Sequence, residues 1–193
     1  MSAKRNGHPR NSNLPESEVT LAEGALGEIA SMLAQLRAKS VFLVLDETAY
    51  DASGAADLLQ PALRGKQVTL FSGFESNPKI DDVARGVEIF CASPPDVVVA
   101  LGGGTAMDLG KMISVLAPQK DDLIELAKGT APIVHPGVPL VVIPTTAGTG
   151  SEATHYAVVY IDGEKYSVAH PSLLPRFAVI DPQLTYCLPP RIT

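Results

Sequence analysis

The stretch VVVALGGGTAMDLGK, residues 97–111, decides how this chain folds. Its first five residues are apolar and mostly β-branched, a pattern typical of a short strand buried on both faces. Gly102, Gly103 and Gly104 follow at once, and the residues after them suit a helix. A buried strand that passes through a glycine turn directly into a helix indicates one corner of an α/β sheet.

Strand-like and helix-like segments alternate along most of the chain. Short apolar runs that predict strands lie at residues 40–46, 67–71, 96–101 and 138–144. Segments that predict helices lie at residues 25–36, 55–63, 77–92 and 106–116. Such alternation favours right-handed crossovers and a mainly parallel sheet covered on both faces. The sequence therefore predicts a doubly wound, Rossmann-like α/β fold.

The alternation ends after Pro144. Residues 157–168 contain Asp162-Gly163 between two β-rich runs, which predicts a β-hairpin with a two-residue turn. Residues 177–181 are expected to return to the main sheet.

Length and composition limit the class of protein. The chain has 193 residues, of which 46% are hydrophobic, enough for one sizeable core or for one core and the start of a second domain. Residues 1–17 are poor in apolar side chains and predict a disordered arm, which leaves residues 18–193 as the folded domain. No apolar run approaches the roughly 20 residues that span a bilayer, so we expect a soluble protein without a membrane partner.

Charge and cysteine content narrow the class further. The formal net charge is −6, which disfavours nucleic acid and anionic membranes because both require clustered Lys and Arg. Cys91 and Cys187 lie far apart and form no CxxC motif, so neither a disulfide framework nor a thiolate metal site is predicted. A reducing cytoplasm suits such a chain.

The glycine turn favours binding of an anion. Glycine permits positive φ and close backbone approach, and the helix that follows presents free N–H groups and the positive end of its dipole. A phosphate or pyrophosphate suits this corner, with Thr105 as a helix N-cap whose hydroxyl also reaches a phosphate oxygen. A tight turn made only for packing is the alternative.

Neither common phosphate motif fits the turn. The dinucleotide fingerprint fails because Met107 stands where the third glycine belongs, and because the turn follows the third predicted strand rather than the first. The Walker loop fails because no Ser or Thr follows Gly110-Lys111, and because Gly104 lies one position too far from Gly110.

A second loop carries hydroxyl groups to the same edge of the sheet. The stretch IPTTAGTGSE, residues 143–152, follows the next predicted strand and is rich in threonine and glycine. Ligands of parallel sheets bind beyond the carboxyl ends of the strands. We therefore expect the two loops to form opposite sides of one cleft; an ordinary polar loop is the alternative.

Three stretches, taken in order, resemble the iron-containing (group III) alcohol dehydrogenase family of the dehydroquinate synthase-like superfamily. They are ALGGGTAMDLGK at residues 100–111, IPTTAGTGSE at residues 143–152 and VIDPQLTYCLP at residues 179–189. The resemblance implies an N-terminal domain that binds NAD(P) and an all-helical C-terminal domain that binds iron or zinc. Such enzymes interconvert alcohols and carbonyl compounds by hydride transfer, with the metal polarising the carbonyl group.

The resemblance also implies the cofactor contacts. The residues expected to hold the pyrophosphate are Gly102, Gly103, Gly104 and Thr105, and those along the adenosine and nicotinamide path are Thr145, Thr146 and Thr149. Asp46 would accept from the adenosine ribose and repel a 2′-phosphate, which favours NAD over NADP; a turn-forming aspartate is the alternative. Lys165 would lie near the nicotinamide ribose. Asp108 would face the nicotinamide end as the candidate catalytic residue, or it is simply an acid favoured by the helix dipole.

The metal ligands of the family, an Asp and three His, lie downstream of the residues that match Leu188-Pro189. The chain ends at Thr193, and no two of its four histidines, His8, His135, His155 and His170, have helical i, i+3 or i, i+4 spacing. His8 and His135 are predicted to be exposed. We therefore expect no metal ligands in this chain, and no turnover of alcohol or aldehyde by it alone.

The substrate expectation depends on residues 152–171. His155, Lys165 and His170 place three possible cations in or beside the hairpin, which favours an anionic aldehyde. The segment is similar to phosphonoacetaldehyde reductases of phosphonate biosynthesis; histidines that only pack or form hydrogen bonds are the alternative.

Two other functions compete with the reductase. One is a cyclase or lyase of the dehydroquinate synthase type, although PTTAGTGSE favours the dehydrogenases. The other is a nucleotide-binding module without catalysis. By analogy with the family, a homodimer through an N-terminal edge strand is possible.

Overall fold

The computed structural model describes residues 16–189. Most of the predicted disordered arm, residues 1–17, therefore lies outside the described residues, as does His8. A six-stranded, fully parallel sheet forms the centre of the molecule. The strands are β1 (Glu18–Leu21), β2 (Ser40–Leu45), β3 (Gln67–Phe71), β4 (Val97–Gly102), β5 (Leu140–Pro144) and β8 (Phe177–Ile180), and their order across the sheet is β1-β8-β5-β4-β2-β3. This confirms the doubly wound α/β fold.

Helices cover both faces of the sheet. They are α1 (Ile29–Gln35), α2 (Glu47–Ser53), α3 (Ala56–Leu63), α4 (Ile80–Ala92), α5 (Gly104–Leu116) and α6 (Leu123–Lys128). Short 3-10 helices lie at Ala25–Glu28, Ser151–Ala153, Pro171–Leu173 and Pro182–Thr185. None of the described helices is both long and apolar enough to cross a membrane.

Alternate side chains of the central strands belong to two separate hydrophobic cores, one on each face of the sheet. On β4, Val97, Val99 and Leu101 pack against the face that carries α1 and α3, whereas Val98 and Ala100 pack against α4 and α5. All five of these side chains are fully buried. Burial on both faces explains why the strand is a continuous apolar run rather than an alternating one.

The hairpin stands apart from the main sheet. β6 (Tyr156–Ile161) and β7 (Glu164–Ala169) form a separate antiparallel pair. Asp162 and Gly163 have φ of 51° and 82°, the positive values that a two-residue type I′ turn needs. The inward side chains Ala157, Val159 and Ile161 are buried in the same core as α5. The predicted hairpin is confirmed, and it packs on the helix that follows the glycine turn.

Three of the strands and α-helices were missed by the sequence interpretation. β1 is a four-residue edge strand whose side chains are mostly exposed. α2 has no buried residue, and α6 has only six residues. None of the three carries an apolar stripe long enough to be read from periodicity. Because β1 was missed, the glycine turn follows the fourth strand in the chain rather than the third.

Candidate functional site

The order in which the chain adds strands to the sheet reverses between β2 and β4. From β2 the chain proceeds to β3 at one edge and then returns to place β4 on the other side of β2. The N–H of Asp46, just past β2, donates to the carbonyl oxygen of Leu101 in β4 at 3.0 Å. Beyond this point the loops after β2 and β4 run in opposite directions and leave a crevice. Ligands of doubly wound sheets bind at such a switch point.

The glycine turn brings its backbone close to this crevice. Gly102 has φ of 147°, and a Cβ there would lie 2.7 Å from Cβ of Ala106 and 2.8 Å from Cβ of Asp46. A Cβ on Gly103 would lie 3.3 Å from Oγ1 of Thr146. Glycine is therefore required at residue 102 by conformation and space, and at residue 103 it keeps open the gap between the two loops.

The N-terminus of α5 has no side-chain cap among the described residues. The N-cap is Gly103, so the prediction of Thr105 as the cap is wrong. Gly104 is already the first residue of α5, so Thr105 lies inside the first turn. The Oγ1 of Thr105 accepts from the N–H of Asn77 at 3.2 Å. The first N–H groups of α5 thus remain available for an anion, with the helix dipole favouring negative charge.

The threonine loop lies directly opposite. β5 pairs with β4 so that Pro144 is opposite Gly102, and the N–H of Thr145 donates to the carbonyl oxygen of Gly102 at 3.0 Å. The expected side-by-side placement of the two strand ends is confirmed. Thr145 is buried, and within residues 16–189 its Oγ1 has no hydrogen-bond partner. A buried hydroxyl of this kind calls for a partner from outside the described chain, such as an ordered water or an ion.

Two cavities meet at Gly103 and Asp46. The first, about 360 Å³, is walled by Glu47, Thr48 and residues 73–76. The second, about 350 Å³, is largely apolar and is walled by residues 145–146, 184 and 187–189. Each volume is in the range of small-ligand sites. Both cavities are lined by Asp46, Thr48 and Gly103, so they adjoin at the start of α5; we call the second the apolar cavity.

Asp46 lines both cavities and caps α2. Its Oδ1 accepts from the N–H of Ala49 at 3.0 Å. Its second carboxylate oxygen makes no hydrogen bond within the described chain. The capping role and a ribose contact therefore use different oxygens and are compatible.

Asp108 holds the hairpin. Its Oδ1 accepts from the Ser151 hydroxyl at 2.5 Å and its Oδ2 from the N–H of Val158 at 3.0 Å. Burial raises the pKa of this carboxyl above its usual value, and both hydrogen bonds act against that rise. Because both oxygens already bond to the protein, the geometry gives Asp108 a positioning role. Its contact with the nicotinamide end stays a prediction.

Lys111 is a site residue that the sequence interpretation tested as a Walker lysine and then set aside. It is fully buried, and its Nζ donates to the carbonyl oxygens of Thr154 and Tyr156 at 2.8 and 2.7 Å. Burial lowers its pKa to about 8, against the charge of Asp108. The available signal was its position directly before the apolar run MISVL, where an exposed lysine is not expected.

The three expected cations of the hairpin are not brought together. The N–H of His170 donates to the carbonyl oxygen of His155 at 3.2 Å, so these two lie side by side. Lys165 pairs with Tyr160 next to the turn, at the other end of the hairpin. His170 Nδ1 accepts from the N–H of Ser172 at 3.2 Å, and burial lowers the pKa of this ring below its ordinary value. His155 stacks on Tyr156, with ring centroids 4.2 Å apart.

The described residues contain no cluster of three or more His, Cys, Asp or Glu side chains that fits a metal ion. His135 is exposed, as expected.

Comparison with known proteins identifies the family. The model for "Iron-containing alcohol dehydrogenase" matches residues 16–182. The chain belongs to the iron-containing alcohol dehydrogenase family. Among relatives, it is 33% identical over 174 residues to long-chain-alcohol dehydrogenase 1 of Geobacillus thermodenitrificans. The aligned region covers 88% of this chain and 44% of that relative. It is 34% identical to 4-hydroxybutyrate dehydrogenase of Cupriavidus necator, covering 92% of this chain and 47% of that one.

A solved structure agrees with this assignment. Sulfoacetaldehyde reductase from Bifidobacterium kashiwanohense, in complex with NAD⁺, superposes with a TM-score of 0.84 at 29% identity, covering 93% of this chain and 48% of that chain. This iron-containing alcohol dehydrogenase-type chain therefore spans somewhat less than half the length of these relatives.

Proposed function

We propose that the chain binds NAD in the cleft between the glycine turn and the threonine loop. The carrying observation is the N-terminus of α5, which has no side-chain cap and lies across a narrow gap from Thr146 and Thr149 of the threonine loop. The reductase with NAD⁺ bound, which shares the fold, supports the same cofactor. NAD supplies the hydride acceptor and donor for interconversion of an alcohol and an aldehyde. The protein contributes the binding and orientation of the dinucleotide.

The cleft gives each part of NAD a proposed partner. The residues proposed for the diphosphate are Gly102, Gly103, Gly104 and Thr105, and those along the dinucleotide path are Thr145, Thr146 and Thr149. Asp46, with one carboxylate oxygen unused by its cap, accepts from the adenosine ribose, and the apolar cavity suits the adenine ring. Lys165 is proposed to contact the nicotinamide ribose.

Calorimetric titration of the 193-residue chain with NAD⁺, NADH and NADP⁺ tests the proposal. Gly103 has an ordinary φ of −77°, so Gly103→Ala keeps the fold while its Cβ enters the gap beside Thr146. We expect it to weaken NAD⁺ binding about tenfold or more. Gly27→Ala is the matched control, because its Cβ meets nothing within 4 Å. No heat of binding with any of the three dinucleotides would refute the proposal.

The described part of the chain has no cluster of side chains suited to holding a metal ion. We propose that residues 18–193 are the cofactor domain, and that iron or zinc is bound by a second, helical domain. The 193-residue chain is then expected to bind NADH without oxidising it. Metal-dependent NADH oxidation by this chain would contradict that arrangement.

We propose an anionic aldehyde, such as one bearing a phosphonate or sulfonate, as the substrate class. One solved neighbour is a sulfoacetaldehyde reductase, and one relative acts on 4-hydroxybutyrate. The cations expected near the substrate, His155, Lys165 and His170, stay candidates, and burial lowers the pKa of His170, which disfavours its charged form. Steady-state kinetics of a polypeptide that contains both the cofactor domain and the helical domain test this substrate preference. Equal kcat/KM for phosphonoacetaldehyde, sulfoacetaldehyde and a neutral aldehyde of similar size would exclude an anionic preference.

A further inference from the structure

The loop after β3, residues 72–76, contributes residues 73–76 to the wall of the first cavity. Asp46 and Glu47 at the start of α2 line the same cavity. Within the described chain, residues 73–76 make no backbone–backbone hydrogen bond, and Gly73 has a left-handed φ of 68°. A loop without such bonds depends on side chains to fix its path. The shape of the first cavity therefore depends on the side chains that bind this loop.

Arg85 of α4 binds the backbone of the loop. Its Nη1 donates to the carbonyl oxygen of Ser72 at 3.0 Å, and its Nη2 donates to that of Gly73 at 3.2 Å. No other side chain of residues 16–189 forms a hydrogen bond with the backbone of residues 73–76. The planar guanidinium carries several donors in a fixed fork, so one side chain holds two successive carbonyl groups.

The guanidinium is itself held in place. Asp82, three residues earlier on α4, accepts from Nη2 of Arg85 at 2.9 Å. The Cζ of Arg85 lies 4.5 Å from the centroid of the buried Phe71 ring, and Phe71 stacks with Phe74 of the loop. The ion pair and the ring fix the orientation of the guanidinium, so the position of the loop follows from that of α4.

We infer that Arg85 is a positioning residue for dinucleotide binding, which acts by fixing the wall of the first cavity; this rests on the proposed NAD site. Arg85 lines neither cavity, so its effect passes through Ser72 and Gly73. The hydroxyl of Ser72 continues the connection by donating to Glu47 at 2.7 Å. A wall that is ordered before the ligand arrives lowers the entropy cost of binding. Loss of the guanidinium therefore weakens binding while the domain stays folded.

Calorimetric titration with NAD⁺ tests the inference in Arg85→Lys and Arg85→Ala, under conditions in which urea denaturation shows each variant to be folded. Lysine keeps the charge, but its single nitrogen cannot hold both carbonyl oxygens and stack on Phe71. We expect both variants to raise the Kd for NAD⁺ about fivefold or more. Arg64→Lys is the matched control, because Arg64 is exposed at the end of α3 and lines neither cavity. Its Kd should equal that of the unaltered chain.

Chemical rescue separates positioning from a loss of stability. In Arg85→Ala, guanidinium at a low, non-denaturing concentration takes the space of the missing group, and sodium chloride at equal ionic strength is the reference. We expect guanidinium to lower the Kd for NAD⁺ about threefold in Arg85→Ala and to leave it unchanged in Arg64→Ala. A merely structural role would give no such recovery, because guanidinium weakens folded proteins in general.

The outcomes separate this inference from the proposed NAD site. If the unaltered chain binds NAD⁺ and Arg85→Lys binds it with the same Kd, the inference fails and the NAD site stands. Weaker binding by Arg85→Ala without rescue by guanidinium would also overturn the inference. If Arg85→Ala does not fold, the comparison of Arg85→Lys with Arg64→Lys decides. If the unaltered chain binds no dinucleotide, both fail.

Discussion

The buried ammonium of Lys111 donates to the carbonyl oxygen of Tyr156 at 2.7 Å, which ties the middle of α5 to the first residue of β6. One turn earlier on the same helix, Asp108 accepts from the N–H of Val158. The first turn of α5 faces the cleft, and the next turn holds the hairpin and the end of the threonine loop. The same helix therefore presents the proposed anion site and sets the position of the hairpin beside it.

Replacing Lys111 by Met should destabilise the domain. The carbonyl oxygens of Thr154 and Tyr156 would stay buried without their donor, and we expect the free energy of unfolding to fall by about 2 kcal/mol. Urea denaturation measures the change. Lys120→Met, at an exposed lysine, is the control. Equal stability of the two variants would show that the ammonium contributes nothing to holding the hairpin.

The lowered pKa of Lys111 predicts that the free energy of unfolding depends on pH. Its pKa is about 8 in the folded chain, against an ordinary value of 10.5. Between these values the unfolded chain binds a proton that the folded chain lacks, so the free energy of unfolding rises with pH, by about 3 kcal/mol at most. Below pH 8 both states are protonated, and this contribution is constant. The difference between wild type and Lys111→Met isolates it, and a flat difference from pH 7 to pH 11 would contradict the prediction.

Asp108 should tolerate an amide better than truncation. Asp108→Asn keeps an acceptor for the N–H of Val158, and the Ser151 hydroxyl can rotate to accept from the amide. Asp108→Ala leaves that N–H without a partner and should lower the free energy of unfolding by about 2 kcal/mol, roughly twice the effect of Asn. Thermal or urea denaturation compares them. Equal losses would show that the charge, rather than the hydrogen bonds, matters.

Asp46→Asn should separate the cap from the ribose contact. Asparagine still caps α2 through Ala49 but no longer repels a 2′-phosphate. We expect little change in stability and a shift of about tenfold in the ratio of NAD⁺ to NADP⁺ affinity, toward NADP⁺. Asp122→Asn, at the N-cap of α6, is the matched control because it lines neither cavity of the cleft. An unchanged ratio would leave Asp46 as a cap alone.

The sequence predicted the inner strands well because they are buried on both faces, as Val97 to Leu101 illustrate. It also predicted the hairpin, since Asp162-Gly163 is one of few dipeptides that readily adopt two positive φ values. It missed the edge strand at Glu18 because an exposed strand carries no apolar run. The other edge strand, β3, was predicted although most of it is exposed, because residues 67–71 still form a short and largely apolar run.

Within the candidate site, chain order indicated which loops meet but not how side chains pair. The two loops around Gly103 and Thr146 could be placed because parallel strand ends share one edge of the sheet. The pairing of Lys111 with Thr154 could not be predicted, because it depends on how the hairpin docks on α5. For the same reason the sequence did not predict that Nδ1 of His170 caps a short helix by accepting from the N–H of Ser172.

The hydrogen bond between Thr105 and Asn77 is one of two that link the start of α5, beside the cleft, to the hairpin. Asn77 is followed by Pro78, whose carbonyl oxygen accepts from the N–H of Tyr160 at 2.8 Å. Two hydrogen bonds, joined by the peptide bond between Asn77 and Pro78, thus connect the first turn of α5 to β6 of the hairpin. A diphosphate that stiffens the turn should slow hydrogen exchange at the Tyr160 amide, so that distant amide reports whether the cleft is filled.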